Sequence, residues 1–386
     1  MHICRLALDH FRSWSEVVVD FTPGVNVLHG SNGLGKTNLV EAAEVLSTGT
    51  SHRVSASLPL IERGASKATI RANVDDDSSV TTYEATIVAH GANRARINSG
   101  QSQYLRDIIG LVPSVSFTPE DQRLIYGEPS VRRNFLNQSG ALLVPHYAEQ
   151  LQRFTQIARQ RAALLKQLAG REGMADSVLS GLEVWTGQFI EAGVELTRMR
   201  SSLMSRLAEP FTEIYARLAS DNGKACLAYM PSFEEVLSSD DPHAMISAHF
   251  QRLYPGEVAR GINLIGPQRD DLDVTLDGMS AKEFASNGEM WTMALALKMA
   301  LFETVTAERG MKPIVILDDV FAQLDESRRE QILRFAQNQE QVLITVAAAS
   351  DIPPTAGANI IDVASLRESF NAHADIDAGS IDGVDV

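Results

Sequence analysis

Residues 30–37 read Gly-Ser-Asn-Gly-Leu-Gly-Lys-Thr, a full match to the pattern G-x-x-x-x-G-K-[ST]. This octapeptide constrains the fold more than any other segment, because the pattern works only between a buried strand and a helix. Both flanks are present. Val25-Asn26-Val27-Leu28 is a short apolar strand, and Leu39, Val40, Ala43, Val45 and Leu46 give the apolar positions of a following helix. The glycines at 30 and 35 allow the backbone to curl so that amides face an anion at a helix N-terminus. Lys36 supplies a point charge to the outer phosphates, and the Thr37 hydroxyl is placed to ligate Mg2+. A chain of this length holds such a pattern by chance about one time in a hundred. The expected nucleotide contacts are therefore Gly30, Ser31, Asn32, Gly33, Leu34, Gly35, Lys36, Thr37 and Asn38.

A second motif completes the first. Ile314-Val315-Ile316-Leu317 runs into Asp318 and Asp319. A buried parallel strand ending there would bring the Asp318 carboxylate to Thr37, so that the two hold Mg2+. Asp319, one step on, could orient or deprotonate an attacking water. Lys36, Asp318 and Asp319 are thus the catalytic candidates, and Thr37 and Asp318 the metal ligands. Lys36 and Asp318 lie 282 positions apart, so one nucleotide-binding unit must be assembled from the two ends of the chain.

What lies between is helical. Tyr147, Leu151, Phe154, Ala158, Ala162, Leu165 and Leu168 recur every three or four residues. After the break at Gly170–Gly173 a second stripe runs from Leu182 through Trp185, Phe189, Leu196, Met199, Leu203 and Leu207 to Pro210. These predict two long helices paired as an antiparallel hairpin. On the N-terminal side, residues 68–74 and 80–89 read as paired strands around an Asp75–Ser79 turn, with 93–98 continuing the meander. On the C-terminal side, short strands are expected at 262–265, 272–276, 314–317 and 342–346, with helices at 288–306 and 326–337. The boundaries expected are 1–120 and 256–370 for the two parts of the head, 121–255 for the helical insertion and 371–386 for a tail.

Charge and cysteine count set limits on function. The net charge of −15 argues against broad nucleic-acid coating. It is unevenly placed, however: from Asp351 to Val386 there are seven carboxylates and one base, Arg367. The last sixteen residues have the composition of a disordered acidic tail. Two cysteines, Cys4 and Cys226, make no disulfide framework or thiolate metal site, which points to a reducing, cytoplasmic setting. No run approaches a membrane span. The nine histidines show no HExxH spacing, and no serine or cysteine nucleophile constellation is present.

Seven ordered blocks carry a resemblance. They are LDHFRSW (8–14), GVNVLHGSNGLGKTNLVEA with TGTSHRV after it (24–42, 48–54), FTPED (117–121), PSVRR (129–133), GPQRDDL (266–272), ASNGEMWTMALALK (285–298) and LDDVFAQLDESRR (317–329). With these the chain resembles the RecF family of bacterial recombination mediators, relatives of SMC proteins and ABC-type ATPases. The resemblance implies an α/β, ABC/SMC-like P-loop ATPase head built from both chain ends, with an inserted α-helical arm. It implies that ATP and Mg2+ join two copies of the chain. Ser286 and Gly288 would cap the γ-phosphate held by the second subunit, and Ala322, Gln323, Leu324 and Asp325 would form a D-loop at the interface. Arg12 resembles the arginine that reaches the phosphates, with Arg53 a further candidate, and Glu120, Asp121 or Gln122 would form a Q-loop. The implied task is loading RecA at single-strand gaps with RecO and RecR, on double-stranded or gapped DNA and without a membrane partner.

The chain departs from the ABC pattern in ways that suggest slow hydrolysis. ASNGE stands where LSGGQ is usual, Asp319 replaces the longer Glu, Gln268 replaces a His, and no histidine follows the strand at Thr345-Val346. An ATP-binding clamp of SMC type that hydrolyses little is the alternative. DNA would have to meet a local strip, with Arg132, Arg133, Arg153, Arg159, Arg161, Lys166, Arg198, Arg200 and Arg206 as the candidate bases.

Overall fold

The strands that carry the glycine-rich loop and the two aspartates are apolar on both faces, a pattern satisfied only when a sheet is covered on both sides. The computed structural model describes residues 1–54, 56–76, 78–169, 176–219, 223–348, 351 and 357–368. In it these strands lie in a five-stranded sheet ordered Asn359–Asp362, Gly24–His29, Gln341–Val346, Ile314–Asp318 and Ser114–Phe117. All pairings are parallel. Every residue of Ile314–Asp318 and of Gln341–Val346 is buried. The expected Ile314–Leu317 strand therefore extends one residue further and carries Asp318 at its end.

The chain divides into two units, Met1–Asp121 with Leu301–Val386, and Gln122–Ala300. Residues 256–300, expected with the returning head, group with the helical insertion instead. In the first unit a six-stranded antiparallel sheet runs in the order Trp14–Asp20, His2–Phe11, Lys67–Asp75, Val80–Val88, Arg94–Ile97, Gln103–Tyr104. One apolar core joins it to the parallel sheet: Ile3, Leu6 and Ile70 pack with Leu39 and Ala43 of the loop helix, Lys36–Thr48, and with Ile316 and Leu343. Buried Gln341 stitches the two sheets together. Its amide donates to the Ile3 carbonyl and accepts from the Ile3 N–H, both at 2.8 Å, where the pairing of the first strand slips register. The acidic turn forms as expected: the Asp76 carboxylate accepts from the Ser78 and Ser79 amides. Asp77, like the tail 371–386 and the Gly170–Gly173 break, lies outside the described residues.

In the second unit the helices Tyr147–Ala169 and Asp176–Ala219 pair in opposite directions, with Gln150 donating to Ala192 O and Arg161 to Thr186. The second helix does not stop at Pro210. It runs on to Ala219, because Phe211, Ile214 and Tyr215 are fully buried and their packing outweighs the backbone hydrogen bond that proline cannot make. The expected strand at 262–265 is absent. There Gly261 ends the preceding helix in a left-handed conformation, and Asn263 is drawn inward to donate to Ala158 O and accept from Arg161.

Three arginines expected on a DNA-facing surface are instead internal. Arg161, 1% exposed, donates to both oxygens of Glu257 at 2.6 and 3.0 Å and lies 4.7 Å from the Phe250 ring centroid. Arg132 grips both oxygens of Asp271 at 2.6 and 2.9 Å. Arg200, 2% exposed, donates to Asp270, Tyr147, Asn137 and the Pro267 carbonyl. Asp270 also accepts from the Ser232 amide and from the Tyr229 hydroxyl. Burial and the adjacent carboxylate hold the Tyr229 phenol far above its ordinary value, so it stays a donor. The Gly266–Leu272 segment is therefore the knot of this unit. Its two aspartates bind arginines from two helices, and Arg133 donates to its Asp270 carbonyl. Helical periodicity gave no warning, since a buried, paired arginine and a solvated one occupy the same kind of position.

Arg200→Met should leave Asp270 buried and uncompensated, at a cost of about 3–5 kcal/mol. Denaturant unfolding monitored on the second unit should show an early transition, whereas Arg159→Ala, at an exposed position, should leave the midpoint essentially unchanged.

Candidate functional site

Thr37 opens the loop helix and Asp318 closes its strand, and the two side chains meet. Thr37 Oγ1 donates to Asp318 Oδ1 at 2.9 Å across 281 positions of sequence. The helix begins at Lys36 with no acidic residue in its first turn and no side-chain cap, so its leading N–H groups are left for an anion. Gly35 caps it at φ 97°, and a Cβ there would lie 2.6 Å from Trp14 Nε1 and 2.9 Å from Ser13 Oγ. Only glycine fits. Gly33, at φ 88°, faces open space and is required by conformation alone. Lys36 is 7% exposed and its ammonium donates to the Gly30 and Ser31 carbonyls at 2.6 and 3.0 Å. Desolvation lowers its pKa, with the charges of Asp319 and Asp318 opposing the shift. Leu34 packs into the core beneath the loop and against Gly30.

Thr345 completes the acidic end. Its strand lies between the loop strand and the Asp318 strand, with Thr345 in register with both Leu28 and Asp318. Its hydroxyl donates to Asp318 Oδ1 at 2.7 Å and accepts from the Asp319 amide at 2.9 Å. Asp318 is thereby held by two hydroxyls. Asp319 turns out of the strand at φ 52°, a left-handed conformation in which its carboxyl lines the cleft. Burial raises the Asp319 pKa, the neighbouring Asp318 charge adds to the rise, and Lys36 opposes it. The cleft has a volume of about 320 Å3, with Asn32, Lys36, Thr37, Asn38, Arg53 and Asp319 among its walls.

The donor set fits a small hard cation. Thr37 and Asp318 offer oxygen ligands side by side, and no group of three or more His, Cys, Asp or Glu among the described residues could hold a metal alone. A cation here would complete its shell with phosphate oxygens and water, the habit of Mg2+.

The remaining candidates divide. Arg53 lines the cleft and donates to Asn38 and Glu41, each at 3.0 Å. Arg12, in the two-residue turn before Trp14, does not line the cleft in this structure; both its Nε and Nη2 donate to the fully buried Glu41 carboxylate, and Nη1 to Pro59 O. Ser286 and Gly288 stand at the head of helix Asn287–Arg309 in the second unit. Ser286 and Glu289 close a capping box: the Ser286 amide and hydroxyl donate to the Glu289 carboxylate, and the Glu289 amide returns to the hydroxyl at 3.3 Å. The Glu that departs from LSGGQ thus has a local structural task. Ser286 and Asn287 are exposed. Gln122 donates to the Asn287 carbonyl at 3.1 Å, whereas Asp121 is buried and closes a turn onto Thr118, and Glu120 is exposed. Asp325 is the N-cap of helix Glu326–Ala336, accepting from the Arg328 amide at 2.9 Å.

Sequence reasoning missed Thr345, Trp14 and Glu41. The only signal for Thr345 is a lone hydroxyl after three apolar residues near the end of the Gln341–Val346 strand. Glu41 has none, and Trp14 stands only in the opening block, residues 8–14.

Comparison with known proteins agrees with this geometry. A family described as the RecF/RecN/SMC N terminal domain matches residues 2–365. The chain is 69% identical over 372 residues to the DNA replication and repair protein RecF of Bifidobacterium longum subsp. infantis, covering 95% of this chain and 90% of that one. It is 41% identical over 356 residues to that of Streptomyces avermitilis, covering 92% and 95%. Among solved structures it is similar to the recombination mediator protein RecF-ATPrS of the RecFOR pathway, with a TM-score of 0.81 and 25% identity over 94% of this chain and 97% of that one.

The raised Asp319 pKa has a defined sign. Between the ordinary carboxylate value and the raised one, the folded protein binds more protons than the unfolded chain, so stability falls as pH rises through that window. Asp319→Asn removes the titration. The stability of the variant relative to wild type should therefore increase from acidic to neutral pH, as measured by urea unfolding at a series of pH values.

Proposed function

This chain belongs to the RecF family of DNA replication and repair proteins, and on that premise we propose that it binds ATP with Mg2+ in the cleft and dimerises on it to hold double-stranded or gapped DNA. Its task on this reading is to help load RecA at gaps together with RecO and RecR, in the cytoplasm where the DNA lies. The observation that carries the nucleotide reading is the Thr37–Asp318 contact, which joins the phosphate loop to the strand-end carboxylate. No described helix is long and apolar enough to cross a membrane.

The residues divide the work by position. The uncapped helix start and the loop amides favour the phosphates, and Lys36 adds a charge that burial keeps close to them. Thr37 and Asp318 would hold Mg2+, whose contribution is to neutralise and polarise the outer phosphates. Asp319, projecting from its turn, would orient the water and take its proton. A carboxylate with a raised pKa is the better matched base near neutral pH, but its short side chain reaches less far than Glu, which supports slow turnover. Ser286 and Gly288, exposed and half-buried at a helix N-terminus, would meet the nucleotide of a second copy of the chain, which requires the Ser286 hydroxyl to exchange its Glu289 partner for a phosphate oxygen. With Arg132, Arg161 and Arg200 buried, the DNA strip narrows to exposed bases such as Arg153, Arg159, Lys166 and Arg198. Arg159 and Lys166, seven positions apart, share a helix face.

Turnover measured with and without double-stranded DNA tests the enzyme reading. Asp319→Asn should cut the rate by about 10²–10⁴-fold while ATP binding persists, and Lys36→Ala should lose both. Wild-type turnover no higher than that of Lys36→Ala would leave a non-hydrolysing clamp. Light scattering with ATP and Mg2+ should show dimers of wild type and monomers of Ser286→Arg.

The DNA strip makes a separate prediction. Replacing Arg159 and Lys166 together by Ala should weaken DNA binding independently of sequence. It should also reduce the salt slope by about one for each phosphate that is no longer neutralised. The check is a fluorescence-anisotropy titration at several salt concentrations.

A further inference from the structure

The last described segment is fastened to the phosphate loop. Its strand, Asn359–Asp362, pairs in parallel with the loop strand, ending with Asp362 opposite His29. The Asp362 carboxylate then accepts from the Ala364 amide at 3.0 Å and the Ser365 hydroxyl at 2.8 Å, turning the chain into a short helix. Val363 is fully buried, and a Cβ on Gly30 would lie 3.7 Å from it. One helical turn later, on the same side, comes Arg367. Its Nη1 donates to the Gly33 and Leu34 carbonyls at 3.4 and 3.3 Å, and its Nη2 to Ser13 O at 3.3 Å. Its guanidinium lies 5.3 Å from the ring centroid of Trp14, and Trp14 Nε1 donates to the next carbonyl of the loop, Gly35 O, at 3.1 Å.

Three consecutive loop carbonyls are thus engaged from outside the cleft. Because each peptide is planar and trans, its N–H points opposite to its C=O. Holding the carbonyls of Gly33, Leu34 and Gly35 therefore fixes the amides of Leu34, Gly35 and Lys36 in the opposite direction. We infer that Arg367 and Trp14 are positioning residues that pre-orient the phosphate-binding amides, so that the C-terminal segment sets the affinity of the loop for a nucleoside triphosphate. This rests on the ATP reading above. A preorganised loop spends less of its binding energy on ordering itself. The fork of arginine suits the role, since a lysine ammonium cannot present a planar pair of donors to three carbonyls.

The test is calorimetric titration of the full chain with MgATP, for wild type, Arg367→Gln, Arg367→Lys, Trp14→Phe and the Arg367→Gln/Trp14→Phe double variant, together with thermal unfolding of each without nucleotide. Kd should rise about tenfold or more in Arg367→Gln and nearly as much in Arg367→Lys. Trp14→Phe, which keeps the ring but loses the donor, should also weaken binding, and the double variant should lose less than the product of the two. KM should rise with kcat at saturation little changed. Unaltered affinity in Arg367→Gln, or full affinity in Arg367→Lys, overturns the inference while leaving the ATP reading intact. A Kd that changes only in proportion to a drop in the unliganded unfolding midpoint also overturns it, as the role is then merely structural. A wild type that binds no MgATP overturns the ATP reading, and this inference with it.

Discussion

The hydrogen bond from Thr37 to Asp318 is where the two ends of the chain become one site. Neither motif is useful alone: a glycine-rich loop without the carboxylate binds an anion, and the carboxylate without the loop is a buried charge short of partners. The parallel sheet resolves both by inserting the Gln341–Val346 strand between their two strands. Thr345 then lies beside Asp318, and its hydroxyl serves the carboxylate and the Asp319 amide together. The left-handed turn at Asp319 follows, and with it the placement of a second carboxyl on the cleft wall. The rest of the first unit fixes this geometry, from the Gln341 clasp on Ile3 to the Trp14 contact behind Gly35.

Much of this was legible in sequence because it rests on local rules. Gly30, Gly33 and Gly35 mark a backbone that side chains would forbid, and four apolar residues before Asp318 mark a strand buried on both faces. Most strands and helices of the first unit fall where alternation and periodicity place them. The edge strands Ser114–Phe117 and Asn359–Asp362 are too short to carry a period of their own and form by pairing with the strands beside them. What could not be read were contacts whose partners are remote. Arg200 and Arg161 sit among apolar helix positions in a way no period distinguishes from surface arginines, and only the structure supplies Asp270 and Glu257. Pro210 failed as a stop signal for the same reason, since tertiary burial of Phe211 and Tyr215 outweighed a local rule. The pairing of both Arg12 and Arg53 with the buried Glu41 carboxylate likewise has no signal in the sequence.

The buried pairs also change the meaning of the net charge. Asp270, Asp271 and Glu257 balance arginines inside the second unit, and Asp318 and Asp319 serve the cleft, so neither group contributes freely to the surface field. Several bases that a simple charge count would offer to DNA are spent on structure. On the first helix of the insertion the bases that remain exposed are Arg153, Arg159 and Lys166, so a DNA contact there would rest on a few side chains. ATP-driven pairing of two chains, by doubling that strip, would raise the avidity of a weak individual contact.

On the function proposed above, the loop threonine and the strand-end aspartate would act as a single metal-holding unit for the nucleotide. The most direct test is a double-mutant cycle on the Mg2+ dependence of ATP affinity, using Thr37→Val, Asp318→Asn and both together. Each single change should abolish most of the gain in affinity that Mg2+ gives, and the double variant should be scarcely worse than either. Losses that simply add, or a Mg2+-dependent gain that survives both changes, would show that the two side chains do not act as one unit.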